Sequence, residues 1–265
     1  KVVDTSHEWI IQRTGIVERR RARPEQSTSD LAVAAARMAM AEARLAPEDL
    51  DLIVCGTVTP DYHLPACACT IQHKLGCGWI PSFDICAACS GFVYGAIVAS
   101  QHLVTGMSHT ALVIGAEKLT TIVDPTERGT CILFGDAAGA AILRPTSDPK
   151  KGILAARWGA DGARAELICC PGGGSKHPFS QAVLDAKSQF MVMHGREVYK
   201  FAVSQMCDII RMTCDDAGVS PSELALLVPH QSNLRIIESA CEKSNIPLDR
   251  VVINIDRYGN TSAAS

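Results

Sequence analysis

The chain has no apolar run long enough to span a membrane, no secretory signal at its start and no initiating methionine. Its opening, Lys1-Val2-Val3, leads to the expectation that the true N-terminus lies further upstream. An excess of one charge is also missing. Against 28 Asp and Glu stand 25 Lys and Arg, and the net charge of −3 gives no support to nucleic acid as a partner. Nor is the sequence short of apolar material: 47% hydrophobic and 20% charged residues exclude disorder. At 265 residues there is enough chain for one large core or two fused ones.

Twelve cysteines are present, yet they lack the regular loop spacing of a disulfide framework. Cys55, Cys131, Cys207 and Cys241 lie inside apolar runs, which suits buried thiols in a reducing, cytoplasmic compartment. Two local patterns compete with that reading. Cys67-x-Cys69 with His63 and His73 could hold a metal, but no second ligand pair follows at finger-like spacing, and no metal site is expected. Cys86-x-x-Cys89 could be a redox dithiol, but it lacks the Trp, Gly or Pro that usually separates such a pair.

The stretch Cys86-Ala87-Ala88-Cys89-Ser90-Gly91-Phe92 organises the rest. A β-reading run, Trp79 to Ile85, leads in. A helix-reading run, Ser90 to Val104, leads out, with Phe92, Val93, Ala96, Ile97, Leu103 and Val104 at helical spacing. Cys89 is thereby predicted at a strand-to-helix turn, where unpaired N–H groups favour its thiolate, the nucleophilic form. Small neighbours leave room for a substrate carbonyl. The bland alternative is a buried structural cysteine.

Around this turn the chain reads as an α/β succession. An arginine-rich surface segment (Arg13, Arg19, Arg20, Arg21, Arg23) could grip phosphate or simply face solvent. Thr28 or Ser29 is predicted to cap a helix reaching about Leu45, with Leu31, Ala35, Met38 and Glu42 marking its period. Strands are predicted over 51–57, 110–116, 131–134, 140–143, 152–156, 224–228 and 251–255, and helices over 66–75, 196–217 and 234–244. Gly135-Asp136-Ala137-Ala138-Gly139 lacks the Lys-Ser/Thr of a phosphate loop and reads as a tight turn.

Pro145 to Lys151 is the best internal boundary, dividing the chain into 1–150 and 151–265. Across it runs a repeat: Leu45-Ala-Pro-Glu-Asp-Leu-Asp-Leu-Ile-Val54 aligns without a gap on Val219-Ser-Pro-Ser-Glu-Leu-Ala-Leu-Leu-Val228. The chain thus reads as two copies of one α/β unit, the first carrying Cys89 and the second His230 and Asn260, each just past a predicted strand, where sites in such folds gather. Together these three can act on acyl thioesters. Cys89 would hold an acyl group, while His230 Nε2 and the Asn260 amide would stabilise the enolate left by decarboxylation. Separately, His230 could be a core histidine and Asn260 a turn residue.

Asp84-Ile-Cys-Ala-Ala-Cys-Ser-Gly-Phe92, Pro229-His-Gln-Ser-Asn-Leu-Arg235 and Tyr258-Gly-Asn-Thr-Ser-Ala-Ala-Ser265 closely resemble the three signatures of β-ketoacyl-acyl-carrier-protein synthase III, of the thiolase superfamily. Val3–Ile10, Arg13–Ile16, Asp124–Gly129 and Gly195–Ala202 match as well. The resemblance implies a thiolase-like fold of two duplicated α/β halves in α-β-α-β-α layers, the second half truncated. It implies an initiating condensing enzyme of fatty-acid synthesis that joins an acyl-CoA primer, such as acetyl-CoA, to malonyl-acyl-carrier-protein, with Cys89, His230 and Asn260 as its catalytic set.

By the same resemblance Trp9 and Arg128 sandwich the adenine of coenzyme A, Arg13 lies near its phosphates and Asn233 meets its pantetheine arm. Gln231, Ser232, Asn233, Leu234 and Arg235 face the carrier protein. Leu64 stands at the acyl pocket, reaching across a homodimer, where many relatives carry an aromatic. Acyl-CoA is a substrate, and no separate cofactor is implied. His7 stands where many relatives carry an acidic residue. The family continues beyond Ser265, so the chain is expected to be a fragment lacking both ends and inactive alone. A synthase of a secondary-metabolite pathway, a non-catalytic carrier-binding protein and a redox protein remain alternatives.

Overall fold

The structure is a computed structural model and describes residues 2–265. In chain order its helices are α1 (His7–Thr14), α2 (Thr28–Ala43), α3 (Cys67–Leu75), α4 (Gly91–Val104), α5 (Arg128–Cys131), α6 (Gln181–Asp185), α7 (Gly195–Ala217), α8 (Leu234–Lys243) and α9 (Ile255–Tyr258). Its strands are β1 (Leu52–Gly56), β2 (Ser82–Ile85), β3 (Ala111–Lys118), β4 (Asp136–Leu143), β5 (Ile168–Cys169) and β6 (Val192–Met193). Among the described residues no helix is long and apolar enough to cross a membrane. The chain forms two compact units that interleave along its length and do not divide it at 150. One comprises Arg20–Lys118, Asp136–Ala156 and Thr261–Ser265; the other comprises the segment up to Arg19, Leu119–Gly135 and Arg157–Asn260.

The first of these units holds a four-stranded sheet in the order β2-β1-β3-β4. β2, β1 and β3 are parallel, and β4 returns antiparallel along β3. All five β1 residues are buried, as a central strand covered on both faces requires. Ile53, Cys55, Leu112 and Ile114 face a core with α2 and α3. Leu52, Val54 and Val113 point the other way, towards Ala96 and Ala99 of α4. Register brings Ile85, Gly56 and Gly115, in the last part of each parallel strand, level with one another.

Several predicted boundaries move, each for a local reason. The α2 cap is Ser27, not Thr28 or Ser29, because Asp30 accepts the Ser27 N–H at 2.8 Å in a capping box. Its buried stripe is Ala32, Ala36 and Met40, while Met38 is exposed. β2 starts at Ser82, and Trp79 stands fully in solvent. The predicted strand over 131–134 does not form: Cys131 ends α5, whose N-terminal N–H groups at Gly129 and Thr130 are both capped by Glu127 at 2.7 Å, and a turn leads on to the single bridge residue Phe134. The predicted turn over 135–139 is instead the start of β4, where Asp136 pairs with Lys118.

In the second unit α7 and α8 pack through Ile210, Cys214, Ile237 and Cys241. The strands predicted there do not form ladders. Leu224–Val228 and Val251–Ile255 meet only at one bridge, Leu227 to Val251; in the first unit, too, no strand forms over 152–156. Buried Gln231 takes the place of ladder bonds. Its amide nitrogen donates to the Pro229 and Val252 carbonyls, and its oxygen accepts from the Asn254 and Ile255 N–H groups. Pairing this short is satisfied by one side chain, and the chain turns into α9.

The repeat survives in its turns. Arg44 (φ 56°) and Gly218 (φ 69°) end α2 and α7 in the left-handed conformation. Each leads to a single 3-10 turn, Pro47–Asp49 or Pro221–Glu223, with proline first and an acidic third residue reaching back to cap it.

Candidate active site

Cys89 lies in the first compact unit, in a 3-10 turn over Ala88–Ser90 between the end of β2 and the start of α4. The turn is tight. Ala88 takes φ 45°, a conformation costly for a residue with a Cβ. Gly91 is pressed so closely on the end of β1 that a Cβ on Gly56 would lie 2.5 Å from the Gly91 carbonyl carbon. Cys89 is half-buried, whereas Cys86 is exposed. A half-buried cysteine at the N-terminal end of a 14-residue helix has the field and the access that nucleophilic thiol chemistry needs.

Leu64 is 86% exposed in the loop ahead of α3. Cys67 is buried and Cys69 exposed, so α3 turns the two thiols of Cys67-x-Cys69 in different directions. No group of three metal-ligating side chains occurs among the described residues.

The second unit carries the remaining candidates. On α1, Trp9 has the guanidinium carbon of Arg13 5.8 Å and that of Arg128 5.2 Å from its ring centre. Arg128 also donates to the Asp4 carbonyl at 3.0 Å. Arg128 thus lies over the indole face that the expected sandwich assigns to the adenine. Asn233 joins the same group. Its oxygen accepts the Arg235 N–H at 2.9 Å as the cap of α8, and its amide donates to the Arg13 carbonyl at 3.3 Å.

His230 is half-buried just past the Leu227–Val251 bridge. Asn260 is buried, and its backbone is clamped at both ends. Its N–H donates to the Leu133 carbonyl at 2.9 Å, and its carbonyl accepts from the Gly135 N–H at 3.0 Å. Gly259, at φ 69°, makes the turn before it, in a place where a Cβ would strike Arg19 and the Leu133 carbonyl at 2.7 Å.

Of the residues assigned to carrier contact, Gln231 is corrected. It is 2% exposed, with its polar atoms committed to backbone groups, so its role is architectural. Leu234 packs against Gly15 at the end of α1, and Ser232 is half-buried. Arg235 is exposed in the first turn of α8, the positive end of the helix dipole, and forms no ion pair among the described residues. Lys200 and Lys243, with Tyr199 and the acidic Asp208, line a groove of about 350 Å³ that the sequence did not point to; the Tyr199 hydroxyl reaches the Arg235 carbonyl at 3.4 Å. The contact between α7 and α8 brings Lys200 and Lys243 to one groove, and no local motif announces it.

The chain is similar over its whole length to proteins of known type. The β-ketoacyl-[acyl-carrier-protein] synthase III of Symbiobacterium thermophilum is 48% identical over 265 residues, all of this chain and 80% of that protein. The chain belongs to the β-ketoacyl-acyl-carrier-protein synthase III family. The synthase III of Caldanaerobacter subterraneus subsp. tengcongensis is 47% identical with the same coverage. Family profiles described as 3-oxoacyl-[acyl-carrier-protein] synthase III and its C-terminal part match residues 83–162 and 214–265, spans that include Cys89, His230 and Asn260. The crystal structure of the synthase III from Aquifex aeolicus VF5 has a TM-score of 0.90 and 44% identity, covering 100% of this chain and 80% of that one. The fold is thiolase-like α/β, and the activity is that of a synthase III: an acyltransferase and condensing enzyme that initiates fatty-acid synthesis.

Proposed function

We propose that Cys89 carries the acyl group of an acyl-CoA primer, and that His230 and Asn260 serve decarboxylation of malonyl-acyl-carrier-protein. The Cys89 thiolate attacks the primer thioester carbonyl, and CoA leaves as its thiolate, which is protonated from solvent. Loss of carbon dioxide from the malonyl group leaves an enolate whose oxygen takes hydrogen bonds from His230 Nε2 and the Asn260 amide. The enolate carbon attacks the acyl-Cys89 carbonyl, the C–S bond breaks, and a 3-oxoacyl carrier thioester departs. The observation that carries this reading is Cys89 at the 3-10 turn heading α4, half-buried beside an exposed Cys86. Intact-mass and peptide measurement after acetyl-CoA treatment tests it: one acetyl group on Cys89 is expected, lost in Cys89→Ser and kept in Cys86→Ala. Labelling confined to Cys86 refutes it.

Trp9, Arg13, Arg128 and Asn233 form the proposed CoA contact, and acyl-CoA enters as substrate without a separate cofactor. Support comes from their clustering and from an indole face already able to stack a planar cation. Arg235 is proposed to receive the acidic carrier protein, because an unpaired cation at the wrong end of a helix is retained at a cost to stability.

A homodimer is proposed through β2. It is an edge strand of the sheet, and fully exposed Trp79 precedes it; isologous pairing of two β2 edges would cover both. Exposed Leu64 is then proposed to complete the acyl pocket across that dimer. The twelve cysteines, several of them buried, suit the cytoplasm as the compartment. The halves 1–150 and 151–265 are proposed as copies of one ancestral unit, on the strength of their matching proline-led turns.

A further inference from the structure

Glu117 stands near the end of β3 and takes no part in the chemistry above. It is fully buried, and among the described residues no salt bridge reaches it. Hydroxyl and amide donors converge on it instead. Thr59 Oγ1 donates at 2.5 Å, the Val58 N–H at 3.2 Å, Thr57 Oγ1 at 3.3 Å and Ser262 Oγ at 3.2 Å. Thr59 Oγ1 in turn accepts the Lys118 N–H at 2.9 Å. Burial pushes the carboxyl above its usual range, and the hydrogen bonds oppose that shift. A buried carboxylate is expensive to keep, so its retention asks for a reason.

The reason lies in what Glu117 joins. Ser262 opens a 3-10 turn over Ser262–Ala264 and takes φ 52°, again left-handed for a residue with a Cβ. This turn lies backbone-on-backbone against the sheet end. A Cβ on Gly115 would fall 1.9 Å from the Ala263 carbonyl oxygen, and one on Gly91 would fall 3.2 Å from Ala263 Cβ. Gly91 is the first residue of α4, two residues after Cys89, and the Ser262–Ala264 turn also packs on the Ala88–Ser90 turn. On its other side Gly91 touches Gly56, and Thr57 continues that strand into the loop Glu117 holds. The strained Cys89 turn is therefore gripped between two backbone segments, and one carboxylate is bonded to both.

We propose that Glu117 is a positioning residue for the nucleophile. By fixing Ser262 on one side and Thr57–Thr59 on the other, it sets the backbone of the Ala88–Ser90 turn and hence the approach of Cys89 Sγ to the primer carbonyl. The inference rests on Cys89 as the acyl carrier. Glu117→Gln keeps size and shape but turns an acceptor into a donor, which cannot receive all four groups.

The test measures the rate of acetyl transfer from acetyl-CoA to Cys89 by quenched-time mass spectrometry, together with CoA affinity by calorimetry and thermal melting. In Glu117→Gln the transfer rate is expected to fall about 10- to 100-fold, the scale of a small misplacement of a reacting group, with CoA affinity unchanged and melting still cooperative. Ser262→Ala, which cuts one arm alone, is expected to slow transfer in the same way but less. Wild-type transfer in Glu117→Gln overturns the inference while leaving acyl-Cys89 standing, and so does joint loss of CoA affinity, cooperative melting and transfer in both variants. Should Glu117→Gln not fold, Ser262→Ala decides, and an unaltered rate there overturns it. Acetyl found away from Cys89 in the wild type overturns the reading beneath it as well.

Discussion

Gly115 shows how little tolerance single positions have in the sheet end that carries Cys89. A methyl group there would overlap the Ala263 carbonyl oxygen, backbone against backbone, with no flexible side chain to yield. Gly115→Ala is expected to destabilise the protein by about 1–3 kcal/mol or more, read as a lowered denaturation midpoint. Gly76→Ala is a useful contrast, because that glycine has open space but φ 81°, so its cost is one of backbone conformation alone. At the two proposed enolate donors the expected outcome is a split. His230→Ala and Asn260→Ala should each reduce malonyl decarboxylation by about 10²–10³-fold and leave acetylation of Cys89 nearly intact. Equal loss in separately assayed half-reactions would contradict that assignment.

Elements differ in how openly the sequence declares them. α4, α7, α8, β1 and β3 were legible because each has a strong period or an uninterrupted buried run, with a cap or glycine at its end. Cys89, His230 and Asn260 were legible as residues between such elements. What could not be read is what depends on distant partners. β4 overrides a Gly-Asp turn signal because Asp136–Leu143 finds β3 to pair with, whereas Leu224–Val228 has strand composition but only one bridging partner. Glu117 was invisible for the same reason: its donors come from two stretches of chain far from it in sequence, Thr57–Thr59 and Ser262.

The loop before α5 offers a test at this scale. Asp124 accepts from Lys187 Nζ at 2.8 Å and from Thr126, and these contacts lower its carboxyl from 3.8 to about 2. A depressed carboxylate stabilises the fold above its ordinary range and stops doing so as pH falls through the folded value. Asp124→Asn should therefore lower the urea midpoint at neutral pH, with the difference from wild type closing as pH falls from 3.8 towards about 2.

For the whole molecule, charge placement says more than charge sum. A net −3 gives no bulk attraction to an acidic partner, yet Arg235, Lys200 and Lys243 are found around neighbouring helices. Arg235→Glu should raise the KM for malonyl carrier protein severalfold and leave acetyl transfer from CoA unchanged, and the wild-type KM should climb with salt. A salt-independent KM would count against a carrier surface there.

The stacking of Arg128 on Trp9 gives the proposed CoA contact a spectroscopic signal of its own occupancy. Three tryptophans are present, and Trp79 and Trp158 are both more exposed than Trp9. A nucleotide that parts the guanidinium from the indole replaces a cation on the ring face with a neutral aromatic base, which changes the emission of Trp9. With Trp79→Phe and Trp158→Phe the fluorescence of one residue should report CoA binding in real time, unlabelled, before any bond is made or broken.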